Sequence, residues 1–215
     1  MRYPPLLIAL FLAMLLRPFA RASAAPVGLF LILVFLTVIY AFRHIRSLTI
    51  ALVALGTIAV VTRFAGDHLQ VFAFLAISHA FSLVAMLLVM VEMLSEVLRA
   101  RSASTDLVIG AVCLYLVIGV AWTFFYYSIY LFSPGSIFAS SGPASLTASA
   151  SEEKFTEVFY FSLSALTTIG SSGEEALTTM ARQLAVVESA MGQLYLAVLI
   201  SRLVGFSTTG DSKAG

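Results

Sequence analysis

The feature that most constrains this chain is a turn at residues 167–174 that is rich in Gly, Ser and Thr and lies between two apolar segments. The segment before it, Phe155–Leu166, is apolar and aromatic but too short to cross a bilayer, because a spanning helix needs about 20 residues. The segment after it, Leu184–Val204, is long enough. At membrane depth, irregular backbone is tolerated only where protein buries it or where it lines a water-filled path. The pattern therefore predicts a re-entrant hairpin, and a pore is its plainest interpretation.

The composition predicts an integral membrane protein built of helices. Of the 215 residues, 60% are hydrophobic and only 11% are charged, whereas soluble domains carry roughly a quarter charged residues. The net charge of +1 gives no indication of a nucleic-acid partner. The one cysteine, Cys113, excludes an intrachain disulfide and is expected to be a packing residue. Since crossing the bilayer uses nearly all of the length, we expect no soluble regulatory domain and no cofactor.

Five further apolar runs precede the hairpin, which gives six spanning helices with the re-entrant loop between the fifth and the sixth. The runs are Tyr3–Leu16, Val27–Phe42, Leu48–Thr62, Leu69–Val91 and Leu107–Leu131. The first run also resembles a secretory signal, because Arg2 precedes it and Ala22-Ser23-Ala24 follows. We interpret it as a short first spanning helix. The third run is expected to end at the polar segment Arg63–His68.

The basic residues near the helix ends favour a cytoplasmic amino terminus, and with six spans the carboxyl terminus is then cytoplasmic too. The fourth run contains neither Arg nor Lys, which voltage sensing through a fourth helix requires. His79 lies midway along that run. An intramembrane histidine is a functional candidate, for example for proton sensing, but a hydrogen bond between helices is the preferred interpretation.

The fifth run ends in a group of aromatic residues that predicts a belt at the outer membrane–water interface. The group consists of Trp122, Phe124, Phe125, Tyr126, Tyr127 and Tyr130. A loop rich in Ser, Ala, Pro and Gly follows at 133–151. The capping-box spacing of Ser149 and Glu152 places the start of the short helix near Ala150.

The hairpin residues resemble a known family. Thr167-Thr168-Ile169-Gly170 resembles the opening of the potassium-channel filter signature, TTVGYGD. The next apolar run is similar to the inner helix of bacterial potassium-channel pore modules, through Arg182–Ala185, Glu188, Gly192–Ile200 and Arg202–Gly205. The resemblance extends from about Phe159 to Gly205 and does not cover the first hundred residues.

The resemblance implies a homotetramer in the bacterial plasma membrane, because potassium filters are built from four copies of one loop around an axis. It divides the chain into a four-helix domain without voltage-sensor arginines (1–101), a pore domain (102–206) and a short cytoplasmic tail (207–215). The implied activity is passive transport of cations, with K⁺ as the permeant ion, across the lipid bilayer that surrounds the protein.

By the same resemblance, a filter that coordinates the permeant ion is formed by Thr167, Thr168, Ile169, Gly170, Ser171 and Ser172. The Thr168 hydroxyl and the backbone carbonyls would replace the hydration shell of the ion. Gly170 would supply the positive φ that the filter needs. Ser171 stands where the family has Tyr, and the second family Gly corresponds either to Ser172 or, through an insertion, to Gly173. A weakly selective channel that also passes Na⁺ is therefore the alternative.

Three further features of the pore region have two interpretations each. Glu174 and Glu175 would form acidic rings at the outer mouth, or they are solvated loop charges. Gly192 matches the gating hinge of the family, or it is a close-packing site. A stripe of small and polar residues could face the wet cavity or, as preferred, pack on the fifth helix; it consists of Ser189, Gln193, Ala197, Ser201 and Gly205.

Two rival functions fit the sequence less well. Gly170-Ser171-Ser172-Gly173 matches the GxSG motif of rhomboid-like intramembrane serine proteases, which have six helices. Their chemistry needs a general base, normally a histidine after the serine, whereas His44, His68 and His79 all precede it. A secondary transporter would show a second interrupted helix in an internal repeat, and none is visible. We therefore expect no enzymatic activity.

Overall fold

The computed structural model describes residues 3–16, 36–69, 71–100, 102, 104–133, 135, 137, 148–170 and 178–211. Within these ranges the regular secondary structure is entirely helical, which confirms the all-α prediction. The helices are α1 (Pro4–Leu16), α2 (described over 36–42), α3 (Arg46–Leu69), α4 (Phe72–Arg99), α5 (Thr105–Phe132), α6 (Ala148–Leu166) and α7 (Thr179–Asp211). The start of α6 lies within two residues of the predicted one, and α7 continues into the predicted tail.

Four helical segments are long and apolar enough to cross a membrane, counted over the described ranges. They are Arg46–Gly66, Ala73–Arg99, Thr105–Phe132 and Thr179–Phe206. The 13 residues of α1 extend for only about 20 Å, against a hydrocarbon core of about 30 Å. These segments support a membrane protein, while the count of six spans stays a prediction.

The predicted end of the third helix is wrong. The helix α3 continues through Arg63 and His68 and ends at Leu69. Nothing in that segment forces a break, since it contains no proline and since Gly66 packs closely on the next helix. A Cβ atom at Gly66 would lie 3.3 Å from the Cβ atom of Phe74. The chain leaves the helix only before Val71, which is extended and precedes the first residue of α4.

The helix α5 is the centre of the packing. Of its spanning window 61% is buried, compared with 11% for the windows of α3 and α7. Helices α1, α4, α6 and α7 all contact α5. Cys113 is fully buried in this helix, as the packing interpretation predicted. The apolar outer faces of α3 and α7 remain for lipid or for other protein chains.

The predicted aromatic belt is largely a core cluster instead. Phe124, Tyr126, Tyr127 and Tyr130 are buried, and Phe125 is 37% exposed. The ring centroids of Tyr126 and Phe161 lie 5.1 Å apart, as do those of Tyr127 and Phe155, in edge-on arrangements. The physical reason is that α6 docks on this face of α5, so that the rings fill the space between the two helices rather than meeting the membrane surface.

The far end of α7 is attached to the junction between α4 and α5. Arg202 donates hydrogen bonds from Nη1 to the carbonyl oxygen of Leu98 and from Nη2 to that of Ala100, each at 2.8 Å. The last carbonyls of a helix lack intrahelical partners, and a cationic side chain also complements the negative end of the helix dipole. Arg202 therefore caps α4 from a helix more than 100 residues away in sequence.

Candidate pore-loop site

The helices α6 and α7 contact each other while running in the same direction. Ser162 bonds Glu188, the carbonyl of Ala165 bonds Ser189, and Gly192 lies against Leu166, so that residue numbers rise together along both helices. The contacts of α5 fall in the opposite order, since Gly119 meets Ser162 and Tyr115 meets Leu166. Thus α6 and α7 are both antiparallel to α5 and parallel to each other.

A parallel contact between consecutive helices imposes a return path on the connection. Thr179, where α7 begins, lies 13 residues before Gly192, which corresponds to about 20 Å along the helix. The chain leaves α6 at the level of Gly192 and has to regain the level of Thr179. Twelve extended residues can span about 40 Å. The connection 167–178 is therefore long enough to return without being fully extended.

The described start of this connection has the backbone that the turn pattern predicts. Gly170 has φ = 80° and Thr168 has φ = 59°, both in the left-handed region. The amide of Thr168 donates to the carbonyl of Ala165 at 3.0 Å, and the amide of Gly170 donates to that of Ser164 at 3.2 Å. The helix thus ends directly after Leu166 in a left-handed turn that backbone hydrogen bonds close.

The predicted filter is only partly within the described residues. Ser171, Ser172, Glu174 and Glu175 lie outside them, and their roles stay predictions. Residues 167–170 are all exposed in the single chain, and Ile169 is 79% exposed. The Oγ1 atom of Thr168 lies 3.3 Å from Nε2 of Gln193 on α7. The exposed turn therefore lies beside the exposed side of α7.

Both neighbouring helices hold the carboxyl end of α6. The Tyr115 hydroxyl donates to the carbonyl of Leu166 at 3.0 Å. The Ser189 hydroxyl lies 2.7 Å from the carbonyl of Ala165 and 2.8 Å from that of Ala185 in its own helix. The last carbonyls of a helix lack intrahelical partners, and the Tyr115 hydroxyl supplies one to Leu166. The Ser189 hydroxyl adds a second bond to the Ala165 carbonyl, which also accepts from the amide of Thr168.

Two glycines allow α6 to approach its neighbours closely. A Cβ atom at Gly192 would lie 2.6 Å from the carbonyl oxygen of Leu166, and one at Gly119 would lie 2.7 Å from Cδ2 of Leu163. Both distances are shorter than Cβ contacts in real proteins. Gly192 is therefore a close-packing site, and its role as a gating hinge stays a prediction.

A buried polar contact joins the three helices behind the turn. The Oγ atom of Ser162 lies 2.6 Å from Oε1 of Glu188 and 2.9 Å from the carbonyl oxygen of Gly119. Ser162 and Glu188 have no exposed surface. Glu188 was predicted only as one of the residues that resemble the family, and no role was predicted for Ser162. The available signal was a lone carboxylate within the apolar run 184–204, since such residues are rare in spanning helices.

The small and polar stripe of α7 does not pack on α5, so the preferred interpretation of it is wrong. Gln193, Ala197, Ser201 and Gly205 are exposed, and Ser189 bonds α6. The reason is that another face of α7 meets α5, where the Tyr195 hydroxyl donates to the carbonyl of Ala111 at 2.6 Å. Beyond Ser189, the stripe is exposed with respect to the described residues of the single chain.

The expected interhelical hydrogen bond of His79 is also absent from the described residues. His79 is buried, and neither ring nitrogen has a hydrogen-bond partner there. Its ring centroid lies 4.6 Å from that of Tyr127, 5.8 Å from that of Phe155 and 5.9 Å from that of Phe124. The side chain points into the aromatic cluster, where it behaves as one more ring of the core.

A His79→Phe variant is expected to be as stable as the wild type or more stable by about 1 kcal/mol. A buried polar group without a partner carries a desolvation penalty of about 1–3 kcal/mol, and phenylalanine retains the ring contacts without it. Chemical unfolding of the detergent-solubilised protein, followed by circular dichroism, would measure the change. His79→Ala is the control, because it leaves a cavity and should lower the free energy of unfolding by about 2 kcal/mol or more. Equal losses in the two variants would contradict this account of His79.

No protein-family model, curated protein or solved structure matches this chain. The potassium-channel resemblance therefore rests on the residues of the turn and of α7 alone. The described residues also contain no group of three or more His, Cys, Asp or Glu side chains able to hold a metal ion. What the described part of the turn offers to a cation is hydroxyl and backbone carbonyl oxygens.

Proposed function

We propose that this protein conducts monovalent cations passively across a membrane, with K⁺ as the preferred ion, through a pore formed by four copies of the chain. The observation that carries the proposal is the parallel contact of α6 with α7. Because of this contact, the chain leaves α6 at the level of Gly192 and has to regain the level of Thr179, as a re-entrant loop does. Irregular backbone of this kind at membrane depth lines a water-filled path or is buried in protein.

The chemistry of the turn supports a cation as the transported species. The carboxyl end of α6 carries partial negative charge, and the turn that follows presents hydroxyl and carbonyl oxygens. Carbonyl oxygens arranged in rings replace the hydration shell of K⁺. A single turn offers too few oxygens for a dehydrated ion, which favours a homotetramer with the turns around a common axis.

The outer surface of α7 supports assembly with further copies. Leu194, Val198 and Ile200 are between 51% and 66% exposed in the single chain. Beside them, the stripe from Gln193 to Gly205 would line the cavity under the filter. In this arrangement the tetramer lies in the bacterial plasma membrane with both termini cytoplasmic.

A weakly selective channel is the second candidate, favoured by Ser171 at the position of the family tyrosine. Proteolysis is not proposed. The ring of His79 packs in the aromatic cluster, and those of His44 and His68 stack on Phe42 and Phe64. No histidine contact with the described turn residues 167–170 supports a general base there.

The test is reconstitution of the purified protein into liposomes loaded with K⁺. We expect a K⁺ efflux that depends on the protein, with a tetramer in the detergent extract by mass measurement. Reversal potentials in mixed K⁺ and Na⁺ would then separate the two candidates, since equal permeabilities select the weakly selective channel. Intact tetramers that pass no monovalent cation would refute both.

A further inference from the structure

Glu188 is a carboxyl group that the proposed conduction path does not use. It lies on α7 with no exposed surface, facing α5 and α6 rather than the stripe. Its Oε1 atom meets the hydroxyl of Ser162, whereas Oε2 has no hydrogen-bond partner within the described ranges. The Tyr126 hydroxyl lies next to the same carboxyl and likewise has no partner of good geometry there.

Placing a carboxyl group here costs free energy, so its presence suggests that the contacts it makes have a function. Burying such a group costs free energy that hydrogen bonds only partly offset, and an apolar side chain could fill the same volume. Ionisable residues within spanning helices are rare for this reason. The contact that Glu188 makes is with α6, the helix that ends in the turn.

The position of this contact relates it to the turn. Ser162 and Leu166 are four residues apart in α6, and Glu188 and Gly192 are four residues apart in α7, so each pair lies on one face of its helix. Besides the bond of Ser189 to the Ala165 carbonyl, the two helices therefore meet at a hydrogen bond one turn before the end of α6 and at a close backbone approach at that end. The Gly119 carbonyl, which also contacts Ser162, extends the first contact to α5.

We propose that Glu188 is the positioning residue of the pore loop. Its bond to Ser162 sets the rotation and depth of α6, and with them the positions of the oxygens that Thr167–Gly170 present to the ion. The inference rests on the proposed function, because the oxygens are those of the proposed filter. Ion selectivity would then depend in part on Glu188, a residue that does not contact the ion.

The test compares Ser162→Ala, Glu188→Met and Glu188→Gln with the wild type in liposomes and planar bilayers. Thr57→Val is the matched control, because it removes an exposed hydroxyl of α3 that, among the described residues, bonds only Val53 of its own helix. We expect Ser162→Ala and Glu188→Met to change the K⁺/Na⁺ permeability ratio by about tenfold, which corresponds to about 1.4 kcal/mol. Glu188→Gln keeps an oxygen that Ser162 can bond and should retain most of the selectivity. Thr57→Val should leave the ratio unchanged.

A second measurement keeps the inference separate from the proposed function. Hydrogen–deuterium exchange of the α6 amides should rise in Ser162→Ala and Glu188→Met but not in Thr57→Val, whether or not the protein conducts. A wild type that passes no cation would refute the channel, and the exchange rates would still decide whether Glu188 positions α6. Unchanged exchange and, in a conducting protein, an unchanged permeability ratio in Ser162→Ala and Glu188→Met would overturn the inference.

Discussion

A Gly192→Ala variant is expected to lose cation conduction and to unfold more easily than the wild type. The added Cβ atom would lie 2.6 Å from the carbonyl oxygen of Leu166 and 3.0 Å from Cδ1 of the same residue. A backbone oxygen cannot move aside as a flexible side chain can, so α6 has to shift away from α7. Overpacking of this kind costs about 1–3 kcal/mol, which exceeds the gain of up to about 1 kcal/mol from placing alanine in a helix. Chemical unfolding in detergent and K⁺ efflux from liposomes would measure the two effects.

Gly205→Ala is the matched control for this variant. Gly205 lies in the same helix, is exposed, and has nothing within 4 Å of a built Cβ atom. We expect its free energy of unfolding to stay the same or to rise by about 0.5–1 kcal/mol. Equal stabilities of the two variants would contradict the close-packing role of Gly192. A change confined to channel opening, with normal stability, would instead favour the hinge hypothesis.

Replacing Gly170 by valine is expected to abolish conduction while leaving the assembly intact. The φ angle of 80° is in a region that β-branched residues adopt only with strain, whereas no atom of the described residues lies within 4 Å of a built Cβ atom. The effect would therefore arise from the backbone conformation, and the carbonyls on either side would turn away from their positions. K⁺ efflux together with the mass of the detergent-solubilised particle would separate conduction from assembly.

Gly170→Asn tests the same explanation from the other side. Asparagine adopts the left-handed region far more readily than valine does, so this variant should retain measurable K⁺ efflux. A valine variant that conducts like the wild type would show that the backbone at Gly170 does not determine the path of the ion. Similar losses of K⁺ efflux in both variants would indicate a steric effect, which the described atoms around Gly170 do not predict.

The local features of the chain were predictable because they depend on near neighbours in sequence. The helical class and the start of α6 follow from hydropathy and capping residues, and the positive φ of Gly170 agrees with what the potassium-channel resemblance implied. The predicted end of α3 was wrong because a charged segment without proline can continue a helix that has already crossed its span. Composition alone does not distinguish a charged segment that ends a helix from one that continues it.

The contacts of individual side chains were not predictable, because they depend on which helices pack together. The aromatic residues at the end of α5 have the composition of an interfacial belt, and only the docking of α6 makes them a core. His79 was expected to find a polar partner, and the neighbouring faces offer rings. Ser162 and Glu188 are 26 residues apart in sequence, on either side of the turn. Hydropathy does not tell whether the helices before and after the turn run parallel or antiparallel, so this contact could not be predicted.

The bond of Arg202 to the end of α4 has a mechanical consequence for any movement of α7. The guanidinium group is held by two carbonyl oxygens, of Leu98 and Ala100, at the start of the connection to α5. An outward swing of the last turns of α7 would either break both charge-assisted bonds or carry residues 98–100 with it. The end of α4 and the last turns of α7 are thus linked directly, and these two bonds would resist a displacement of one relative to the other.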